Sequence, residues 1–253
     1  MKIRLDQLVL TRKLAPTLQK AQAYIAAGLV KVNDQPADKV GALFPDDSRV
    51  ELKKKPSPYV SRGGLKLAAG LDYFKIDPTG FICADIGASS GGFTDCLLQR
   101  GAHKVYAVDV GYGQLDWKLR QDPRVVVMER TNARKLQPGD IADPLDLAVI
   151  DASFISLKAL LPALLIFFKN QVAILALIKP QFEVAKGTLE KGGVITNSEL
   201  HHGVIEEIRE YAESIGLRPV GVTASPIKGP KGNKEFLIYL TSIPREPCPP
   251  LTE

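Results

Sequence analysis

Phe81-Ile82-Cys83-Ala84-Asp85-Ile86 runs into Gly87-Ala88-Ser89-Ser90-Gly91-Gly92 and then into Phe93-Thr94-Asp95-Cys96-Leu97-Leu98. The short apolar run with an acid near its end reads as a buried strand, the glycines as a tight turn, and the residues after them as the start of a helix. Such a turn lets the backbone approach a ligand closely and presents a helix amino terminus to it. On either side the same alternation continues. Residues 104–109, 125–128, 146–151 and 172–178 read as further strands with helices between them. Near-continuous apolar strands alternating with helices argue for a parallel sheet covered on both faces, an α/β class. Residues 218–223 and 235–240 flank a loop rich in Gly, Pro and Lys and read as a strand pair at one edge.

The glycines are spaced Asp85-x-Gly87-x-x-x-Gly91, which is not the GxGxxG of dinucleotide binders. It is the form seen in S-adenosylmethionine-dependent methyltransferases, and it makes Asp85, Gly87, Ala88, Ser89, Gly91, Gly92 and Phe93 candidate cofactor contacts. Asp109 ends the next strand about twenty residues further on, where a carboxylate can accept both ribose hydroxyls of an adenosine cofactor. Asn132 follows the third strand, in the right order to meet the adenine edge, although an asparagine there is also a turn former. Open α/β sheets gather their chemistry at the carboxyl ends of the strands. Two opposite charges converge there, Asp151 at the end of the fourth strand and Lys179 at the end of the fifth.

The 253 residues allow one domain or two, and 45% hydrophobic with 24% charged residues is ordinary globular usage rather than disorder. Cys83, Cys96 and Cys248 with His103, His201 and His202 offer neither a disulfide framework nor a metal-ligand spacing, so a reducing compartment and no metal are expected. His201 and His202 are adjacent, point to different faces of a helix, and are expected at the surface. The amino terminus lacks the apolar run of a secretory signal. The most apolar stretch, residues 157–178, is split by Pro162, Lys169 and Asn170 into runs shorter than the roughly 20 residues of a membrane span. It reads as a buried helix followed by a buried strand, and the expected location is the cytoplasm with no membrane partner.

The net charge of +5 is uneven. Residues 1–55 hold 11 Lys and Arg against 6 Asp and Glu, whereas residues 56–253 hold 22 of each. A basic module joined to a neutral one suits delivery of a polyanion, since phosphate neutralisation supplies most non-specific nucleic-acid affinity. Within the module, Leu5, Leu8 and Val9 and then Leu18, Ala21, Tyr24 and Ile25 have helical spacing. Gly28 ends the second helix, residues 29–32 read as a strand, Asn33-Asp34 as a turn and residues 49–52 as the closing strand. Residues 4–52 resemble the RNA-binding domain named after the fourth small-subunit ribosomal protein, the S-four-like fold. The resemblance implies contact with structured RNA through Arg4, Arg12, Lys13, Lys20 and Lys31, to which Arg62 in the following stretch is added. The expected division is an S-four-like domain over 1–55, a linker over 56–62 carrying part of a charge run and two prolines, a methyltransferase domain over 63–243 and a flexible proline-rich tail over 244–253.

Ser61-Arg62-Gly63-Gly64-Leu65-Lys66-Leu67, Asp85 through Asp95, Ile178-Lys179-Pro180-Gln181-Phe182-Glu183 and Lys234-Glu235-Phe236 are similar to the TlyA family. Its members join an S-four-like domain to an FtsJ-like, Rossmann-like 2′-O-methyltransferase domain with a mostly parallel seven-stranded sheet, and some are called haemolysins. FtsJ-like enzymes use a Lys-Asp-Lys-Glu tetrad, which by resemblance falls on Lys66, Asp151, Lys179 and Glu235. A ribose 2′-hydroxyl is a weak nucleophile and must lose its proton as it attacks the methyl group of a sulfonium cofactor. An amine accepts that proton only where burial and a neighbouring cation disfavour its charged form. Lys179 is therefore expected to act on the hydroxyl and Lys66 to be the nearby cation, with Asp151 and Glu235 orienting them. The resemblance further implies S-adenosylmethionine as cofactor and cytidine in ribosomal RNA as acceptor. A membrane-active haemolysin and a non-catalytic ribosome assembly factor are the alternatives, and monomer and dimer both stay open.

Overall fold

The computed structural model describes residues 1–53, 57–169, 171–184, 193–229 and 231–242, so the expected flexible tail lies outside the described residues. The chain divides into two units, Met1–Pro56 and Ser57–Glu253. The smaller comprises β1 (Lys2–Arg4), α1 (Leu5–Thr11), α2 (Leu18–Ala26), β2 (Val30–Val32), β3 (Gln35–Pro36), β4 (Leu43–Pro45) and β5 (Val50–Leu52). Leu5, Leu8 and Val9 of α1 and Ala21 and Ile25 of α2 close over Val30, Val32 and Val50. Thr17 caps α2 by accepting from the Lys20 backbone N–H at 3.2 Å. The turn at Asn33-Asp34 serves a different hairpin from the expected one. Both residues have positive φ, 47° and 65°, as a two-residue primed turn requires, so the chain folds straight back into β3. The closing strand β5 pairs with the other edge of β2. A second ladder, β1 with β4, was not expected, because three-residue strands carry too little alternation to read.

The larger unit contains α3 (Gly63–Phe74), β6 (Ile82–Ile86), α4 (Gly92–Gln99), β7 (Lys104–Val108), α5 (Trp117–Arg120), β8 (Val125–Met128), β9 (Leu147–Ile150), α6 (Leu161–Leu164), β10 (Ala173–Ile178), α7 (Pro180–Glu183), α8 (Ser198–Ser214), β11 (Leu217–Ala224) and β12 (Phe236–Ser242). Among the described residues its sheet has seven strands in the order β11-β12-β10-β9-β6-β7-β8. The five strands from β10 to β8 are parallel, and β12 runs antiparallel between β10 and β11. This is the expected mostly parallel sheet with an edge pair. The alternation of a strand sends Val149 to one face and Ile150 to the other. Leu67 and Leu71 of α3 and Cys96 and Leu97 of α4 cover the first face, while Val204, Ile208 and Ala212 of α8 cover the second. Chain connections leave β6 in opposite directions, toward β7 and later to β9, which opens a crevice at the carboxyl ends of these strands.

Three local readings need correction. Residues 157–167 are not one helix but a 3-10 turn, the four-residue α6 and another 3-10 turn. Pro162 lacks an N–H and fits only the first turn of a helix, so a new helix must start there. His201 is buried rather than exposed, packed edge-on against the Phe236 ring with centroids 5.5 Å apart. It shares one stripe of α8 with Val204, Ile208 and Ala212, a spacing that was visible in the sequence. Burial holds its imidazole below the usual histidine range. Finally, residues 57–62 of the expected linker are packed on the larger unit. The Val60 N–H donates to Asp95 Oδ2 at 2.8 Å, Gln99 Nε2 donates to the Pro58 carbonyl at 3.0 Å, and the Tyr59 ring fills the space where a Gly64 Cβ would stand. Among the described residues no helix is long and apolar enough to cross a membrane.

Candidate active site

The loop after β6 needs its glycines. Gly87 has φ +85°, and a Cβ on it would stand 2.9 Å from the Asp151 carbonyl oxygen, so the turn and the end of β9 pass at backbone distance. Gly91 has φ +91° and packs on Leu115 and Leu119, on the protein side of the loop. Two cavities open beside this loop. One of about 380 Å³ is walled by Asp109, Val110, Asn132, Ala133, Ile155 and Leu160. The other, of about 290 Å³, is walled by Arg62, Lys66, Ala88, Gly92, Phe93, Lys179 and Glu235. Gly87, Ser89, Asp151 and Ser153 border both.

At the larger cavity the Asp109 carboxylate accepts from two backbone N–H groups, Ser89 on Oδ2 at 2.8 Å and Gly111 on Oδ1 at 2.7 Å. Asn132 Oδ1 accepts from the Arg134 N–H at 3.1 Å, so its carbonyl is a turn cap while the residue still borders the cavity. Asp85 borders neither cavity. Its fully buried carboxyl accepts from the Thr94 N–H at 2.8 Å and the Thr94 hydroxyl at 2.6 Å, both on Oδ2, and pins the first turn of α4 from below. Its Oδ1 has no partner. Burial, reinforced by Asp151 and Asp109 and opposed by the Thr94 bonds, pushes its pKa up to about 7.

In the smaller cavity four ionisable side chains from four elements form one row. Lys66 on α3 donates to Glu235 Oε2, just before β12, at 2.5 Å. The same Nζ lies 3.8 Å from Asp151 Oδ2, just after β9. Asp151 Oδ1 lies 2.5 Å from Lys179 Nζ, just after β10, a charge contact that lacks the alignment of a hydrogen bond. Lys179 completes its contacts by donating to Ser153 Oγ at 2.9 Å and, at 3.4 Å, to the Asp151 carbonyl. Lys179 is extended because Pro180 follows it, and Pro180 starts α7, so the lysine stands at the strand end rather than in the helix. Lys66 and Lys179 are each 7% exposed and Glu235 2%. Buried charges persist only when paired, and here signs alternate along the row.

The candidate RNA contacts are dispersed. Arg4 is bidentate on Asp6, donating from Nε at 3.1 Å and Nη2 at 2.8 Å, and this guanidinium holds the Asp6 carboxyl down at about 2. Arg12 donates to the Asp46 carbonyl at 2.7 Å, Lys13 and Lys20 are exposed, and half-buried Lys31 faces Glu51 across the β2–β5 pair. Those five belong to the smaller unit; Arg62 is an exposed wall residue of the 290 Å³ cavity in the larger one. Sequence reasoning passed over Ser153, Val110 and Gln114 in the loops after strands β9 and β7, and Lys228 beside the smaller cavity. The shared signal, a position just past a strand end or in the Gly, Pro and Lys-rich loop, was available. Among the described residues no group of three His, Cys, Asp or Glu could hold a metal.

Residues 59–242 match the FtsJ-like methyltransferase family and residues 3–44 the S4 domain. The chain is 45% identical to the 16S/23S rRNA (cytidine-2′-O)-methyltransferase TlyA of Mycobacterium tuberculosis, covering 94% of this chain and 89% of that one. It is also 45% identical to YqxC of Bacillus subtilis, a candidate rRNA methyltransferase, over 94% of this chain and 85% of that one. A solved structure of a candidate hemolysin from Streptococcus thermophilus is 43% identical, with a TM-score of 0.74 over 95% of this chain and 88% of that one.

Proposed function

This chain belongs to the FtsJ-like methyltransferase family and carries an S4 domain, and on that premise we propose that it methylates the 2′-hydroxyl of a cytidine in ribosomal RNA. The observation that carries this reading is the row Glu235, Lys66, Asp151, Lys179 on the wall of a cavity that adjoins the glycine loop. S-adenosylmethionine, the methyl donor of the family, supplies an electrophilic methyl group on a sulfonium when bound. The 380 Å³ cavity fits its adenosine part. Each Asp109 oxygen accepts one backbone N–H and keeps a further lone pair for a ribose hydroxyl, and Val110, Ala133 and Ile155 offer apolar walls to a purine. Gly87, which borders both cavities, lets the loop lie against the backbone at the end of β9. Asp85 acts from beneath, through Thr94, on the loop that would hold the cofactor.

The chain's own residues then manage one proton. As the 2′-oxygen attacks, its O–H bond must break, and Lys179 Nζ accepts the proton in its neutral form, the ammonium that pairs with Asp151 having first released one proton to solvent water. Lys179 is preferred over Lys66 because their partners differ. Lys66 is held between two carboxylates, whereas Lys179 has one carboxylate, a hydroxyl and a carbonyl. Lys66 is the cation that fixes Asp151 from the other side, and Glu235 fixes Lys66. Orientation of donor and acceptor supplies much of the acceleration, since well-oriented reactants save about 7–11 kcal/mol. Residues 1–55 would deliver the RNA through the exposed Arg12, Lys13 and Lys20, with Arg62 meeting the acceptor strand at the cavity of the larger unit. A cytoplasmic location follows from the ribosomal substrate.

The test is transfer of radiolabelled methyl from S-adenosylmethionine to ribosomal subunits from cells lacking the enzyme, with nuclease digestion to locate the label. Label on a cytidine ribose 2′-oxygen, absent with Lys179→Ala, is the expected result. Label on a base, or none on subunits or free RNA despite cofactor binding, overturns the reading.

A further inference from the structure

We propose that Ser153 is a positioning residue of the reaction centre, which aims the Lys179 amine at the acceptor hydroxyl and follows its protonation state; this rests on the function proposed above. Lys179 Nζ has three oxygen neighbours, and they are unequal. Asp151 Oδ1 at 2.5 Å is an anion and the Asp151 carbonyl at 3.4 Å is a fixed dipole; both only accept. Ser153 Oγ at 2.9 Å is a hydroxyl, which can accept from an ammonium or turn and donate to the lone pair of a neutral amine. It is the partner of Lys179 among these three that can reverse its hydrogen bond when the amine gains or loses a proton.

Its location supports the same role. Ser153 borders both cavities, at the junction where the transferred group would meet its acceptor, and it is exposed whereas Lys179 is 7% exposed. Turned toward Lys179, the hydroxyl holds the amine at that junction until the ribose arrives. As the ribose arrives Ser153 rotates away and frees the Nζ lone pair; the 2′-hydroxyl proton then passes to Nζ, the ribose O–H bond breaks, an N–H bond forms, and Ser153 accepts from the new ammonium. On reset one N–H bond of that ammonium breaks as a bond to Ser153 Oγ forms, and the proton previously on Oγ leaves to solvent water. The loop geometry holds Ser153 in register: Phe154 next to it has φ +63°, an uncommon left-handed conformation for a bulky residue, and its ring packs at a tilt against that of Phe182, centroids 4.9 Å apart. Glu183 in the same helix α7 accepts from Ser156 Oγ at 2.5 Å and from the Leu157 N–H at 2.9 Å. The loop is thereby fastened to the helix that begins right after Lys179.

The experiment compares the parent chain with Ser153→Ala and Ser153→Thr, by single-turnover methyl transfer to saturating RNA and by equilibrium binding of S-adenosylmethionine. Expected for Ser153→Ala is a loss of about tenfold or more in the single-turnover rate, the scale of a group that orients a reacting one, with cofactor affinity kept within about twofold. Ser153→Thr, which keeps the hydroxyl, should recover most of that rate. Equal rates for the parent and Ser153→Ala overturn the proposal, and so does a rate loss matched by an equal loss of cofactor affinity, or a Thr variant as slow as the Ala one. In each of those cases parent activity leaves the proposed function standing; absence of transfer by the parent chain overturns both.

Discussion

The charges at the carboxyl end of the large sheet and those on the small unit are organised in opposite ways. At the sheet, Glu235, Lys66 and Lys179 are buried and Asp151 half-buried, they stand on or beside four elements, and each depends on its neighbour for a counter-charge. On the small unit, Arg12, Lys13 and Lys20 are exposed, and none shares a salt bridge among the described residues. Removing one member of a buried row leaves an uncompensated charge, which is strongly destabilising, whereas an exposed charge interacts weakly and additively with its surroundings. Single residues therefore define the first region, and only the sum defines the second.

The largest effect expected from that contrast belongs to Lys179→Ala, which should lower methyl transfer by about 10²–10⁴-fold, the usual scale of a general base, while S-adenosylmethionine still binds. Full activity of this variant together with an inactive Lys66→Ala would exchange the roles of the two lysines. Next comes stability. Lys66→Ala strands Glu235, 2% exposed, without its 2.5 Å partner, and should cost about 3–5 kcal/mol in denaturant unfolding. Replacing both as Lys66→Met with Glu235→Gln should return most of that stability and none of the activity. If the single variant unfolds at the parent's denaturant concentration, the row is not desolvated and the contrast fails.

Smaller effects distinguish the scaffold from the charges it carries. Gly87→Ala must place a Cβ 2.9 Å from the Asp151 carbonyl at φ +85°, so it should lose both stability and cofactor affinity. Gly216→Ala is the control: its φ is +82° with open space around it, so it should show only the left-handed strain of about 1–2 kcal/mol. Equal losses in the two would mean the backbone passage at Gly87 is not tight. Asp85 adds a pH dependence. Its carboxyl titrates at about 7 in the folded chain and near 3.8 otherwise, so between those values the folded state holds the extra proton. Stability from this group therefore falls as pH rises from about 4 to about 7. The stability difference between parent and Asp85→Asn should drift against the parent across that window, and a flat difference would mean that Asp85 is already ionised at low pH.

Much of the large unit was legible because its strands are long, apolar and separated by glycine turns. The turn at Gly87 and the charges at Asp151 and Lys179 stand at strand ends where any open α/β sheet gathers its chemistry. Lys66 and Glu235 were reached only by resemblance: a helix-borne lysine and an acid before an edge strand have no spacing relation to the glycine loop, and only the fold joins them, 169 residues apart in sequence. Asp85 looked like a cofactor contact because it lies two residues before Gly87, yet the pleat turns its side chain under α4. The 157–167 segment was misread where apolar content outweighed the backbone constraint of Pro162. In the small unit the helices were readable by their stripes, and the pairing of three-residue strands was not, since pairing partners there are set by a two-residue turn rather than by alternation.

The smallest effect concerns the exposed charges, and it must be read as a slope rather than as a loss of affinity. Lys20→Ala removes one cation whose side chain makes no hydrogen bond or salt bridge among the described residues, so binding of a structured ribosomal RNA fragment should weaken only slightly, by about threefold or less. Each phosphate contact nevertheless contributes close to one unit to the dependence of log affinity on log salt. Arg12, Lys13 and Lys20 changed together should therefore flatten that slope by about three if all three meet phosphates. Arg4 cannot join this set cleanly, because its guanidinium also satisfies the buried Asp6, and losing it would disturb the unit itself. Fluorescence anisotropy across a salt series measures both quantities at once. An unchanged slope in the triple variant would move the polyanion contact off these residues, leaving Arg62 and the lysines of the larger unit to hold the RNA, and the division of labour between a defining row and an additive surface would have to be redrawn.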